Sequence, residues 1–346
     1  MGAKSGLNNL KELSVDQADL LTWYLANKRD LPWRKHKDNY KDPYKVWISE
    51  VMLQQTTVAA VIPYYEKFIA KFPNVSALAS AKEDEVLEHW AGLGYYSRAR
   101  NLHRSAQHLA ESGFYKTAAK LLELPGFGPY TSRAVASLAF DEPVGVLDGN
   151  VIRVLSRRYG LKLNWWNGKE KKILQDLADA LANTKSNSDM NQGLMELGAT
   201  VCTPKKPLCL LCPWKKRCVA LKTDQITTLP TPRPRAAIEI WHWVLRPQFK
   251  KDQIYLTPLL KSPFLKNLHF PDSSLSKLSK KPKAFHLKHS VTKYALYIFI
   301  EPPKQPLPKT LQHGKWVNLN DVKKINPTSL LTKILKFSEK NGKIKI

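Results

Sequence analysis

Leu124-Pro-Gly-Phe-Gly-Pro-Tyr-Thr131, an apolar run, and then Leu147-Asp-Gly-Asn150 form the stretch from which the fold of this 346-residue chain is read. Pro125 and Gly126 are turn residues, and Gly128 offers a second backbone conformation that a Cβ would forbid. Ala134, Val135, Leu138 and Ala139 then recur at helical spacing. A glycine-rich hairpin feeding a helix directs backbone N–H groups outward at a helix N-terminus, a seat for phosphate. Asp148 follows in a tight Asp-Gly-Asn turn. A phosphate seat with a carboxylate nearby suits chemistry on a nucleic acid. The same residues also make a plain helix–turn–helix connection with a solvated aspartate, and on their own they leave both readings open.

Charge points the same way. The chain carries 55 Lys+Arg against 29 Asp+Glu, a formal net charge of +26. Such an excess favours a polyanionic partner, most simply DNA or RNA. It is uneven: residues 226–346 hold 23 basic and 6 acidic residues, a net of +17. No stretch approaches the ~18 apolar residues of a membrane span. Met1 to Ser14 lacks the apolar core of a signal peptide, and Gly6 breaks the myristoylation pattern begun at Gly2. An intracellular protein of cytoplasm or nucleoid, with no membrane partner, is expected.

Outward from the hairpin, the first 200 residues read as short-looped helices. Residues 15–27 form the first. Lys35 to Lys41 reads as a polar loop and Pro43 to Ile62 as a helix interrupted at Pro63, with Tyr64 to Phe72 resuming it. Gly92-Leu-Gly-Tyr-Tyr96 is a turn between two helical patterns. Pro230, Pro232 and Pro234 mark a linker over 226–235. Beyond it, Ile238 to Leu245, Ile254 to Leu256 and Tyr294 to Ile300 are rich in β-branched and aromatic residues, as strands are. A helix near Ser329 to Phe337 completes a small α+β domain.

All four cysteines fall within Cys202-x6-Cys209-x2-Cys212-x5-Cys218. The Cys-x2-Cys core lets two thiolates share one metal or cluster from a tight turn, and the outer pair closes the site. Zinc is the generic occupant of four cysteines. The x6-x2-x5 spacing is similar to that of the [4Fe–4S] loop in endonuclease III-like DNA glycosylases. Lys205, Lys206, Lys215, Lys216 and Arg217 stud these loops and suit a phosphate backbone around a structural cluster.

Together, the Gly126/Gly128 hairpin, the Asp148 turn and the cysteine loop resemble the helix-hairpin-helix glycosylases. Trp47-Ile-Ser-Glu-Val-Met-Leu-Gln-Gln-Thr56, Gly92-Leu-Gly-Tyr-Tyr-Ser-Arg-Ala-Arg-Asn-Leu102 and Leu147-Asp-Gly-Asn-Val151 resemble the MutY-type adenine DNA glycosylases in particular. The likeness runs from about Leu20 to Cys218. It implies a mainly α fold: a helix-hairpin-helix glycosylase core over 1–225, with a six-helix barrel about 35–145 and a [4Fe–4S] subdomain about 10–34 and 146–222. A small α+β, Nudix-like domain follows over 236–346. The implied activity is a monomer's base excision of adenine from duplex DNA, opposite 8-oxoguanine or guanine.

Adenine is a poor leaving group, so its release asks for an acid on the base and an anion beside the sugar. Glu50, mid-helix among Trp47, Ile48, Val51 and Met52, is the candidate acid, because desolvation favours its neutral form. Pattern alone also allows a solvated face glutamate. Asp148 is the candidate anion, with Asn150 orienting it; both also suit a helix cap. Tyr130 stands where bifunctional relatives carry a Schiff-base lysine, which implies base removal without strand cleavage. The resemblance sets Trp33, Arg34, Leu53 and Gln192 around an extruded adenine, whose edge Gln192 can pair with. It sets Gln55 and Tyr95 as residues that wedge into the duplex, with Thr56 and Leu93 against the 8-oxoguanine and Gln54 and Gly94 in the same blocks. Leu53, Leu93 and Trp33 are also ordinary core residue types.

In the C-terminal domain the likeness is weak. The Gly-x5-Glu-x7-Arg-Glu-x2-Glu-Glu metal box is absent from the sequence, so nucleotide pyrophosphate hydrolysis is not expected. Where the family often reads Phe-Ser-His, this chain has His289-Ser-Val-Thr292-Lys293. Thr292 keeps the hydroxyl and His289 precedes it, so these two are the candidate 8-oxoguanine contacts; a plain strand and turn is the other reading. Two other functions stay open: a glycosylase for thymine or uracil opposite guanine, and a catalytically silent DNA-binding repair protein.

Overall fold

The computed structural model describes residues 10–35, 41–234, 236–266, 268–303, 314–326 and 328–341. The polar loop expected over 35–41 lies largely outside these, as do residues 1–9. The chain divides into two compact units, Met1–Arg233 and Pro234–Ile346.

The first unit is helical: α1 (Leu10–Asn27), α2 (Pro43–Met52), α3 (Val58–Lys71), α4 (Val75–Ser80), α5 (Glu83–His89), α6 (Tyr96–Ser112), α7 (Ala118–Leu121), α8 (Pro129–Phe140), α9 (Gly149–Tyr159), α10 (Gly168–Ala182), α11 (Asn187–Thr200) and α12 (Val219–Lys222). Local chemistry sets many boundaries. Asp42, Asn74, Thr117, Asp148 and Asn167 cap helix N-termini through their side chains. Asp141 and Gly160 close α8 and α9 in left-handed conformations. The break expected at Pro63 falls elsewhere. Pro63 lies inside α3, and the chain turns at Leu53–Thr57, where Gln55 takes φ 62°.

The apolar faces form two cores. One gathers Trp47, Ile48, Met52, Phe68, Leu78 and Trp90 with the buried face of α8. The other gathers Leu20, Val151, Leu155, Leu174, Leu194 and Trp214. A buried charge cluster ties α1 to the second core. Asp16, fully buried, accepts from Arg158, Tyr159 and Arg217, and its carbonyl accepts from Trp214 Nε1 at 3.0 Å. Leu229, inside the stretch expected to be a linker, is buried, and its carbonyl accepts from Arg157 Nε at 2.9 Å.

The second unit holds β1 (Glu239–Arg246), β2 (Phe249–Lys250), β3 (Gln253–Pro258), β4 (His269–Phe270), β5 (Asp272–Leu278), β6 (Leu287–Val291), β7 (Tyr294–Ile300), β8 (Lys315–Asn318), α13 (Val322–Ile325) and α14 (Ser329–Lys340). One sheet has the order β5-β1-β7-β6, with β1 and β7 parallel. In the other, β3 pairs with β2, β4 and β8. Trp243, Leu245, Leu296 and Ile298 pack against Leu330 and Ile334 of α14. No helix among the described residues is long and apolar enough to cross a membrane.

Gly145 marks a point where the segment leading to Asp148 crosses α10. A Cβ there would strike the Ala178 carbonyl and lie 2.5 Å from the Asp179 backbone N. Backbone cannot yield as a side-chain end can. Gly145→Ala is therefore expected to destabilise by about 3 kcal/mol, read as a Tm lowered by roughly 6–12 °C in thermal unfolding.

Candidate active site

The turn of the hairpin is tighter than its glycines suggest. Gly126 takes φ 78°, and a Cβ there would come 2.7 Å from Asn101 Cβ. Gly128 corrects the expectation: at φ −82° and ψ 176° it is in extended backbone open to any residue, and it caps α8. A Cβ on it would meet nothing within 4 Å, so what glycine offers here is clear approach to the N-terminus of α8.

α8 then delivers Tyr130 to an open pocket between the two cores. Trp33, Arg34, Glu50, Leu53, Thr56, Tyr130, Asp148, Asn150 and Gln192 all line it. Gln54, Gln55, Leu93, Gly94 and Tyr95 do not. Gln54 donates to Thr131 Oγ1 at 3.1 Å. Leu93 is buried, while Gln55 and Tyr95 project from two neighbouring loops, Tyr95 half exposed.

Glu50, at the end of α2, is 6 % exposed. Burial pushes its carboxyl up to about 7, aided by the nearby Asp148; the Tyr130 bond and Arg34 pull the other way. The Tyr130 hydroxyl donates to Glu50 Oε2 at 2.5 Å. Burial and these two carboxylates hold the phenol well above its ordinary value, so it stays a donor.

Asp148 is spoken for on both oxygens. Oδ1 accepts from the Val151 N–H at 2.7 Å, and Oδ2 from Asn150 Nδ2 at 3.0 Å. Burial raises its carboxyl, and these bonds together with Arg153 oppose that. The solvated turn aspartate is thus not what forms; Asp148 caps α9 and faces the pocket at once. Asn150 is fixed in turn: Arg153 Nη2 donates to its Oδ1 at 2.8 Å and to Gly198 O at 2.8 Å, while Nε donates to Cys202 O at 2.7 Å. A Cβ on Gly198 would fall 2.6 Å from Asn150 Cβ.

Arg153 and Gly198 are functional neighbours that sequence reading misses, as are Glu196 and Arg29. Arg34 is not free over the pocket. It donates to Glu196 Oε2 at 3.0 Å and to Arg29 O at 3.2 Å, and faces the Tyr24 ring. Arg29 donates to the same buried Glu196. Gln192 donates to Ser188 Oγ at 3.2 Å, and Trp33 packs edge-on against Tyr65.

Cys202, Cys209, Cys212 and Cys218 line one pocket walled by Val201, Pro207, Leu221 and Ile226. Arg157 Nη1 lies 3.5 Å from Cys202 Sγ, and the Cys218 thiol lies 3.4 Å from Arg157 O. Among the described residues, no group of three or more His, Cys, Asp or Glu is arranged to hold a metal ion.

In the second unit, Thr292 and Lys293 are the two-residue turn between β6 and β7, with Thr292 at φ 51°. Lys293 pairs with Glu239 at 2.5 Å. His289 is half-buried on β6; burial and the nearby Lys333 lower its pKa.

Comparison with known proteins fits this geometry. Residues 48–182 match the model of the HhH-GPD superfamily base excision DNA repair proteins. A solved thermostable thymine-DNA glycosylase superposes with a TM-score of 0.55 at 31% identity, covering 62% of this chain and 98% of that one. An endonuclease III from a non-covalent DNA complex, 20% identical with a TM-score of 0.51 over 63% of this chain and 99% of that one, shares the fold. The class is thus a helix-hairpin-helix repair protein with an endonuclease III-like core. The adenine DNA glycosylase of Buchnera aphidicola subsp. Schizaphis graminum is 33% identical over 345 residues, 92% of this chain and 97% of that protein. The chain belongs to the adenine DNA glycosylase family. The rat adenine DNA glycosylase is 45% identical over 62% of this chain; the match spans 43% of the rat protein, less than half its length.

The raised Glu50 carboxyl has a stability consequence. Between about 4.5 and 7 the folded chain binds this proton more tightly than the unfolded one, so stability falls as pH rises through that window. Glu50→Gln cannot ionise and can still accept from Tyr130. It is expected to be more stable than the parent at pH 8, by up to about 3 kcal/mol, and no more stable at pH 4. Urea unfolding at the two pH values measures this.

Proposed function

We propose that this chain is a monofunctional DNA glycosylase that hydrolyses the N-glycosidic bond of adenine mispaired with 8-oxoguanine or guanine. The observation that carries the reading is the pair of carboxyls, buried Glu50 and partly buried Asp148, lining one pocket together with Tyr130 and Asn150. Their environments differ as acid and anion require. Glu50 sits against apolar groups, retains its proton near neutrality and bonds Tyr130 through one oxygen, leaving the other to protonate the base. Asp148 receives an N–H and an amide, which favour its ionised form, and so can stabilise the positive sugar or add to it. With adenine gone, the ionised Glu50 is placed to activate water.

The target base must leave the stack to reach this pocket. Trp33, Leu53 and Arg34 then form its walls, and Gln192 has an amide to pair with its edge. Gln55 and Tyr95, on loops beside the pocket, enter the duplex. Gly126 and Gly128 seat the backbone. Tyr130 offers no amine, so no Schiff base forms and an abasic site is left.

The all-cysteine donor set around one apolar-walled pocket fits a [4Fe–4S] cluster, held by Cys202, Cys209, Cys212 and Cys218. A cluster there supplies rigidity to a lysine-studded loop facing phosphates. The second unit is read as Nudix-like, with Thr292 at a hairpin tip and His289 behind it as contacts for 8-oxoguanine.

The thymine-DNA glycosylase likeness makes excision of thymine opposite guanine the second reading. Single-turnover base release from 8-oxoguanine·adenine, guanine·adenine and guanine·thymine duplexes separates them. Adenine release is expected to climb as Asp148 ionises and to fall about tenfold per pH unit above about 7. Glu50→Gln and Asp148→Asn are expected to lose at least ~100-fold, with no borohydride-trapped adduct in any sample. Parental rates in either variant would sink the mechanism, and release of thymine alone would favour the second reading.

The cluster has its own measurement. Purified protein is expected to contain iron and acid-labile sulfide at about four each. One zinc and no sulfide would replace the cluster with a structural ion.

A further inference from the structure

Two loops beside the pocket end in strained tips. Leu53–Thr57 joins α2 to α3, and the segment from Trp90 to Tyr95 joins α5 to α6. Gln55 takes φ 62° and Tyr95 takes φ 49°, left-handed conformations that non-glycine residues rarely hold. Such backbone persists only where its surroundings fix it.

One guanidinium fixes both loops. Arg98, on the first turn of α6, donates from Nη1 to Val51 O at 2.6 Å and Gln54 O at 2.9 Å. Its Nη2 donates to Leu93 O at 3.2 Å and Gly94 O at 3.3 Å. Its Cζ lies over the Tyr95 ring, 5.5 Å from the centroid, and over that of Trp90 at 5.4 Å. The first pair of acceptors closes α2 and its loop; the second pair belongs to the other loop, some forty residues on. A planar fork spans the two, whereas a lysine ammonium, a single point, cannot. With both Nη groups donating to carbonyls, Nε buried and Cζ over the Trp90 and Tyr95 rings, Arg98 is not arranged as a phosphate contact.

We propose that Arg98 is a positioning residue that sets Gln55 and Tyr95 in fixed relation so that they enter a DNA duplex as one wedge. This rests on reading those two tips as duplex-entering. Arg98 acts on base extrusion through the loops and touches neither base nor sugar.

The test uses the full chain and a duplex with 2-aminopurine at the target position, whose fluorescence rises on leaving the stack. Arg98→Lys retains the charge. Its extrusion equilibrium is expected to fall about tenfold, since displacements on the order of 1 Å cost up to ~100-fold. The salt dependence of binding should keep its slope, because no phosphate contact is lost. In a Gln55→Ala/Tyr95→Ala background the same substitution should change extrusion less than about twofold, the mark of coupled residues. Hydrogen exchange should quicken in both loops of Arg98→Lys while the amides of α8 and α9 keep parental rates. Parental extrusion in Arg98→Lys, an undiminished loss in the tip-less background, or a salt slope reduced by about one would overturn the proposal. An absence of extrusion by the parent chain would sink the duplex-entry reading. The exchange measurement would still decide whether Arg98 holds the loops.

Discussion

A carboxyl cut off from water must be neutral or matched by a cation. Glu50 meets this constraint by staying neutral, because burial outweighs the Tyr130 hydrogen bond and Arg34, which pull the other way. Its neighbours on α2 deny it solvent, Tyr130 gives it one hydrogen bond, and Arg34, which could have neutralised it, is committed to Glu196. The proton therefore stays on Glu50 near neutral pH. Tyr130 reaches it only because the Gly126 turn launches α8 toward α2. The hairpin thus sets the hydrogen-bond partner of a carboxyl eighty residues earlier.

At the second carboxyl, Asp148, burial also raises the pKa, but it is opposed: the partly buried group has each of its two oxygens met by a donor, and the donor amide is itself held by Arg153. The same guanidinium reaches Gly198 and Cys202. Gly198 has no room for a side chain beneath Asn150. Burial thus raises both carboxyls of the pocket, and the two differ in what opposes it: one phenol and Arg34 at Glu50, an N–H, an amide and Arg153 at Asp148.

Much of this was legible in the residues. The hairpin, the helical periodicity of the first unit, the strand-like second unit and eight pocket-lining residues could be read from local pattern and family likeness; Thr56, read as an 8-oxoguanine contact, lines the same pocket. What escaped is carried by contacts far apart in sequence. That Tyr130 donates to Glu50, or that Arg153 braces Asn150, depends on how α2, α8, α9 and α11 meet, which no local window contains. Gly128 misled because a glycine kept for open access looks, in a sequence, like one kept for its backbone angle. Pro63 misled because α3 runs through it as its sixth residue, giving up one intrahelical N–H bond without breaking, whereas the left-handed Gln55 was the real break.

Glu196 receives Arg29 and Arg34 across more than 160 residues of chain. The ion pairs that brace one wall of the pocket therefore join the segment just after α1 to α11. On a ribosome, Arg29 and Arg34 emerge early and wait for nearly the whole helical unit before their partner appears. A chain still being made, or broken off before α11, carries Glu50 and Asp148 without a finished pocket around them. The order of synthesis itself thus leaves this wall of the pocket without its ion pairs until α11 has been made.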